Sequence, residues 1–201
     1  MPQQPNQMIN YFFNQLTGFI MRMSKTRANY WGEFAVDIPL GLALIIMSVH
    51  HHDLDMSAAL PFVVLGLFLF SFFEYFIHRW LFHGRVRIMA EGHRSHHLNP
   101  MGYDSLPFFL PAMVLLILSG MLILAIPANL VFLLTGTITF GYVVYGLSHY
   151  AIHHVRFQNR WARRWSAHHL IHHRHPQKNF GVTTPTWDVV LGTRYIYNHK
   201  V

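Results

Sequence analysis

From Ser105 to Val155 the chain carries no Asp, Glu, Lys or Arg. A water-soluble domain cannot easily bury an uncharged run of about 50 residues, but two membrane-spanning helices of roughly 20 residues each use that length. Pro127, Ala128 and Asn129 interrupt the run near its middle, where a tight turn between two spans is expected. A second apolar run goes from Met56 to Phe73 and continues into Glu74–His83. A weaker one covers 34–49 and contains Asp37 and Pro39. The hydropathy pattern therefore predicts an all-α integral membrane protein with about four transmembrane helices. Composition agrees, since 52% of residues are hydrophobic and only 11% charged, against about 25% charged in soluble domains.

Basic residues set the orientation. Arg22, Lys25 and Arg27 precede the first span, Arg85, Arg87 and Arg94 follow the second, and Arg156, Arg160, Arg163, Arg164, Arg174 and Lys178 follow the fourth. The opposite loops, His50–Asp55 and Pro127–Asn129, contain no Lys or Arg. Both termini are expected on the cytoplasmic side of a multi-pass protein, and the net charge of +7 reads as topology and phospholipid contact, not as a nucleic-acid footprint. Residues 1–33 form a separate N-terminal unit in this reading. There Ile9, Phe12, Phe13, Leu16, Phe19, Ile20 and Met23 recur at helical spacing, as in an amphipathic helix on a membrane surface or against the protein itself. Residues 34–201 form the membrane domain. Cysteine is absent, which excludes disulfides, thiolate metal sites and a cysteine nucleophile.

Chemistry enters with the histidines. Of 17 in the chain, ten fall into four clusters: His78 and His83; His93, His96 and His97; His149 and His153; and His169, His172 and His173. Residues three or four apart share a helix face, so His149 and His153 can address one centre. Each HxxHH triplet has two adjacent histidines that diverge by about 100° and so can reach two metal ions. His78 and His83 do not share a face of an ideal helix, and the helix is expected to end between them, near Gly84. All four clusters fall on the predicted cytoplasmic side, in a histidine-rich helical cap. Ten imidazoles around one point make sense as neutral metal ligands. They are too many for one ion and more than a four-ligand structural zinc site uses. Two redox metals such as iron, each with an open position, fit better, although zinc in a purified sample is also compatible with imidazole. His50, His51, His52, His154, His168, His175 and His199 complete no such spacing.

With these motifs in place, the chain resembles the fatty acid hydroxylase/sterol desaturase superfamily, and within it the fatty acid 2-hydroxylase branch. The carrying segments are Glu74-Tyr-Phe-Ile-His-Arg-Trp-Leu-Phe-His83, His93-Arg-Ser-His-His97, His149-Tyr-Ala-Ile-His153 and His169-Leu-Ile-His-His173. A similar tail follows, Phe180-Gly-Val-Thr-Thr-Pro-Thr-Trp-Asp188 with Gly192-Thr193. The resemblance covers roughly 34–193. It implies a four-span fold capped by cytoplasmic helices, two iron ions, O2 as co-substrate, and electrons from a separate cytochrome b5-like or ferredoxin-like protein. It further implies a monooxygenase that hydroxylates an unactivated C–H bond of a fatty acid or fatty-acyl lipid, sphingolipid included, drawn from the bilayer. The ligands implied are the ten histidines already chosen by spacing. Gly146 and the residues just after Asp104 depart from the family pattern, the first in place of an acid and the second lacking a base.

Beyond the metal ligands, Glu74 lies four residues before His78 and can hold its free ring N–H, and Asp188 can do the same for a C-terminal ligand. Phe72, Phe73, Phe108, Phe109 and Tyr145 are the expected substrate contacts. Two other readings stay open. A lipid desaturase or a sterol or carotenoid oxidase begins with the same hydrogen abstraction. A non-enzymatic membrane metal-binding or transport protein would place polar ligands near mid-membrane, where the last two spans are apolar.

Overall fold

In a computed structural model, residues 5–50 and 55–197 are described. Eight α-helices follow one another: α1 (Pro5–Met23), α2 (Arg27–His50), α3 (Met56–Phe76), α4 (Arg87–Leu98), α5 (Leu110–Leu122), α6 (Ala128–His154), α7 (Arg160–Arg174) and α8 (Thr186–Val190). A π-helical turn, Ile77–Phe82, extends α3. Among the described residues there is no strand. The expected boundary between residues 33 and 34 falls inside α2, which runs through it unbroken. Parts of the loop 50–55, including His51 and His52, lie outside the described residues, as do His199 and the side chains of Ile9 and Phe13.

Three helices are long and apolar enough to cross a membrane: Arg27–His50, Ser57–Phe82 and Ala128–His154. α5 has 13 residues, about 20 Å of helix, short of a hydrocarbon core of about 30 Å. The uncharged run therefore holds one helix of full span length, α6, and one shorter helix, α5. Its first residues are spent as a loop stapled to α2. The Asn29 amide donates to Ser105 Oγ (2.8 Å) and to the Leu106 carbonyl (2.7 Å), and its oxygen accepts from the Phe108 N–H (3.0 Å). At the other end the helix unwinds after Leu122, ahead of Pro127. Hydropathy counts these residues as apolar but cannot see that one buried Asn holds several of them out of a helix.

α6 is the central rod. α2 and α3 both lie along it, and they approach closely because small residues stand at the crossings, the device by which helices pack in lipid. Gly41 faces Thr139 and Phe140, Gly66 faces Thr137, Gly136 faces Ile45, and Gly141 faces Phe70. Thr135, Thr137 and Thr139 are buried in α6, yet each hydroxyl bonds the carbonyl four residues earlier at 2.8 Å, so no polar group is stranded. Leu60, Val64, Leu65, Leu67 and Phe68 of α3, with Val114, Leu116 and Ile117 of α5, point outward. An apolar exterior over an interior holding Thr, Glu and Asp suits a bilayer, not water. On α1 the apolar Phe12, Leu16 and Phe19 are exposed.

A Cβ at Gly141 would stand 2.4 Å from Phe70 Cγ, whereas one at Gly120 meets nothing within 4 Å. Gly141→Ala is therefore expected to destabilise the bundle by about 1–3 kcal/mol through overpacking, and Gly120→Ala to leave it unchanged or slightly more stable. Thermal unfolding of both variants in detergent checks this. Equal melting temperatures would remove the α3–α6 crossing from the account.

Candidate metal centre

The ten histidines gather into two groups of five. His78, His83, His93, His97 and His172 form one, and His96, His149, His153, His169 and His173 the other; within each, one ring nitrogen per residue lies within 4.8 Å of all the rest. Helix geometry does the sorting. From each HxxHH triplet the first and last residues, four apart on one face, go to the same group: His93 and His97 to the first, His169 and His173 to the second. The middle histidine, His96 or His172, crosses to the other. His97 and His173, from opposite groups, stack at 4.3 Å between ring centroids, so the two centres are adjacent.

His78 and His83 reach one group although they are five apart. The helix does not end between them as the spacing suggests. It widens into the π turn, in which the His83 N–H bonds the His78 carbonyl (3.1 Å). An i→i+5 turn brings residues five apart to one side, and such turns recur at functional sites.

The separations fit a metal. His78 Nε2 lies 3.0 Å from His93 Nε2, His93 Nε2 lies 3.0 Å from that of His83 and from that of His97, and the His83–His172 distance is 2.9 Å. In the second group the His96–His173, His173–His169 and His169–His153 distances are 3.1, 3.1 and 3.2 Å. Two nitrogens at about 2.1 Å from a common ion and at right angles stand about 3.0 Å apart. Hydrogen bonds alone do not account for them. His78 and His172 use their Nδ1–H on the carbonyls of Phe180 and Lys178, the latter at 2.7 Å, which leaves each Nε2 a bare lone pair aimed at the others.

Charge state agrees. Burial, followed by repulsion from neighbouring imidazoles, drives His93 and His169 far below the ordinary histidine range, and takes His83 to about 4, His96 to about 3 and His173 to about 2. Burial also lowers His97, and it lowers His172 to about 3 against the Lys178 bond that raises it. At neutral pH these rings are uncharged, the form that binds a cation.

Glu74 and Asp188 do not hold ligand rings. Glu74 Oε1 accepts from the N–H groups of Val182 (2.6 Å) and Thr183 (3.0 Å), and Oε2 from the Thr183 hydroxyl. Asp188 accepts from the N–H groups of Phe180 and Gly181 (2.8 Å each), from Thr193 Oγ1 (2.7 Å) and from His168 Nε2 (3.0 Å). Both carboxylates fix the segment 178–183, whose carbonyls then orient His78 and His172. They act one link further out than His78's spacing to Glu74 suggests, because a backbone carbonyl already occupies the ring N–H. Asn179 completes the brace at φ 58, with its amide on the His168 carbonyl (3.0 Å). An Asn just before a Phe-Gly pair is a turn signal, but nothing in the sequence says which carbonyl meets which histidine.

Of the five expected substrate contacts, only Tyr145 has its ring stacked on a cluster histidine among the described residues, on His149 at 5.8 Å and 5°. Phe72 packs against Phe76 and Trp187. Phe73 is 40% exposed, and Phe108 and Phe109 pack edge to face on each other. Phe82, stacked on His93 at 5.2 Å, is closer to the centre than any of those four. The histidines outside the clusters have other neighbours: His154 stacks on Tyr150, His175 on Tyr195, and His168 pairs with Asp188.

A helical membrane bundle carrying two adjacent five-histidine sites at one end defines the class, and sequence comparison narrows it. The family model described as fatty acid hydroxylase matches residues 63–193. Two dihydroceramide fatty acyl 2-hydroxylases of Arabidopsis thaliana are 30% identical over 174 residues (82% of this chain, 73% of the relative) and 34% over 180 (84% and 74%). The fatty acid 2-hydroxylase of Homo sapiens is 31% identical over 144 residues, covering 65% of this chain and 38% of that one. Full-length Scs7p, with only its hydroxylase domain visible, superposes with a TM-score of 0.73 at 24% identity, over 87% of this chain and 69% of that one. The chain belongs to the fatty acid hydroxylase family.

Four neutral or charged donors bond Asp188, and they outweigh the burial that alone would raise it, so its carboxyl is held below the ordinary aspartate value. Asp188→Asn is expected to weaken metal retention about 10–100-fold and to lower the melting temperature at neutral pH. A carboxyl depressed in the folded state stabilises above its unfolded pKa and stops doing so as pH falls through the folded one. The thermal gap between the two proteins should therefore shrink below the ordinary aspartate range and close in more acid solution. A gap independent of pH would assign Asp188 a role in shape, not charge.

Proposed function

We propose that the protein is a membrane-embedded hydroxylase that uses O2 to convert a C–H bond of a fatty-acyl lipid into an alcohol. The observation that carries this reading is the pair of five-nitrogen sites, each an incomplete sphere for an octahedral metal. The reaction balances as C–H plus O2, two electrons and two protons, giving C–OH and water. The relatives named as 2-hydroxylases of fatty acids, ceramides and dihydroceramides point to a ceramide-type or free fatty acyl chain, hydroxylated next to its carbonyl carbon.

Two iron ions, held by the first and second groups of five, suit the family, and imidazole donors suit iron. Bound there, the metals supply the activation of O2 that no side chain can. The chain's own part is to hold ten lone pairs in place, to keep water out with the buried His78, His169 and His172, and to orient the rings through the segment 178–183. Tyr145, against His149, is the contact that guides the acyl chain. The two electrons come from a separate carrier protein, cytochrome b5-like or ferredoxin-like.

The position of the site supports a four-crossing topology. α4 and the C-terminal end of α6 meet there, so the chain between them must travel to the far end of α6, about 40 Å away for 27 residues. α5 and the apolar residues flanking it make that passage, which gives four crossings in all. Both termini and the histidine cap then lie on one side, which the Arg and Lys residues flanking the spans assign to the cytoplasm, with α1 resting its Leu16 and Phe19 on the membrane surface.

Lipid mass spectrometry under 18O2 tests the reading in cells expressing the protein or its His172→Ala, His173→Ala double variant, which removes one ligand from each group. A lipid gaining one 18O only with the intact protein is the expected result, alongside about two irons per chain by metal analysis of the purified protein. Loss of two hydrogens without oxygen would make it a desaturase. An unchanged lipid profile with iron and a reductase present would overturn the activity.

A further inference from the structure

Between Lys178 and Arg194 the chain carries one charged residue, Asp188, and that one is buried. The ends of this stretch are clamped together. The Asn179 N–H donates to the Thr193 carbonyl (3.0 Å), and the Asn179 side-chain oxygen accepts from the Tyr195 N–H (2.7 Å). Residues 179–193 thus form a compact loop closed at its neck, with α8 inside it.

Contacts with α3 set the level at which the loop lies. At the neck, Thr193 Oγ1 bonds the Tyr75 hydroxyl (2.9 Å). Along one side, the N–H groups of Val182 and Thr183 are those that Glu74 accepts. Farther along, the Trp187 indole donates to Ser71 Oγ (3.1 Å), and its ring packs edge to face on Phe68 and Phe72 at 5.5 and 5.1 Å. Arg79 is the first basic residue after the apolar run of α3. The stretch from Phe68 to Phe72 precedes it by about 10–16 Å along the helix, and the hydrocarbon of one leaflet is about 15 Å deep. Phe68 is also one of the outward-facing residues of α3. The loop therefore runs beside the last turns of a membrane helix, not above them.

Its surface suits that level. Val189, Val190 and Leu191 are 56%, 64% and 42% exposed, while Asp188 just before them turns inward. These aliphatic side chains continue the apolar exterior of α3. At the neck the character reverses: Arg174, Lys178 and Arg194 line an open concavity of about 540 Å³, with no acid among its described lining residues. We infer that loop 179–193 dips into the bilayer leaflet beside α3, with Val189, Val190 and Leu191 in the acyl chains and the cationic neck on the phosphates of anionic phospholipids. Apolar residues below the headgroups and long basic side chains at their level are the makings of an interfacial anchor. This rests on the membrane-embedded part of the reading above and not on its chemistry. Phe180, whose carbonyl orients His78, belongs to the same loop, so the lipid contact and the brace of the metal centre are one piece of chain.

The chain has no cysteine, so Val190→Cys, Val64→Cys and Gln158→Cys each take a single nitroxide label. Each labelled chain is reconstituted in vesicles of phosphatidylcholine and phosphatidylglycerol, and electron paramagnetic resonance reads the label's accessibility to O2 and to a water-soluble nickel chelate. Val64 marks the outward side of α3, and Gln158 the exposed connection between α6 and α7. The Val190 label is expected to be several-fold more accessible to O2 than to the chelate, as at Val64 and opposite to Gln158. A Val190 label that behaves like Gln158, while Val64 stays in lipid, would overturn the insertion alone. Chelate access at Val64 would overturn the membrane reading and the insertion with it. For the neck, the melting temperature in detergent is followed with phosphatidylglycerol, phosphatidylcholine or inorganic phosphate added. A rise of several degrees with phosphatidylglycerol only, lost in an Arg174→Gln, Arg194→Gln double variant, is expected. No rise, an equal rise with either other addition, or a rise kept by the variant would overturn the anionic-lipid contact.

Discussion

Five imidazole nitrogens held within 4.8 Å of one another repel unless a cation stands between them. Two such sets side by side are the constraint the rest of the protein answers. Each lone pair must be bare, so each ring must be neutral and its other nitrogen, where it needs a partner, must find one elsewhere. Burial secures the first condition. The carbonyls of Phe180 and Lys178 secure the second for His78 and His172. His169 Nδ1, buried without a partner, shows that the second condition is met unevenly.

Rigidity is supplied from two directions. On the membrane side the histidines sit at the end of α6 and in and just after the π turn that extends α3, and the close approach of the two helices through Gly66 and Gly141 sets the separation of those ends. On the other side the segment 178–183 is pinned by Glu74 from α3, by the Trp165 indole on the Val182 carbonyl (2.9 Å) from α7, and by Asp188 from α8. Glu74 therefore ties the membrane bundle to the cap. Sites placed on braced helices hold their geometry better than sites left on loops.

The part of this that a reader of the sequence could see was the part written in regular periods. Spacings of three and four assign His93, His97, His169 and His173 to helix faces, and a stretch without charge announces apolar helices. The misreadings occur where the period changes or the partner is backbone. The π turn alters the residue count per turn between His78 and His83, and no side-chain pattern marks it. α5 is short because Asn29, distant in sequence, claims the residues before it. Glu74 at four residues from His78 has the spacing of a direct partner, but a carbonyl of Phe180, which has no side-chain signature, takes that place. The aromatic residues of α3 were indistinguishable in composition from a substrate lining, and the structure gives several of them to packing.

Metal and fold must be coupled in such a protein. The rings of both groups come from α4, α6, α7 and the π turn with the residue that follows it, and the histidines bring these elements together at one place. Without an ion, the apposed lone pairs in each group are a cost that the helices carry unrewarded; with one, that cost becomes the strongest attraction in the cap. The membrane bundle of α2, α3 and α6 has its own packing and does not depend on this. Metal should therefore organise the cap on a preformed bundle, and stability gained on binding should be concentrated at the histidine end. The arrangement also explains why the segment 178–183 is held by buried carboxylates when simple apolar contacts would be cheaper: it must already be in register when the ion arrives, since it orients two of the ligands that receive it.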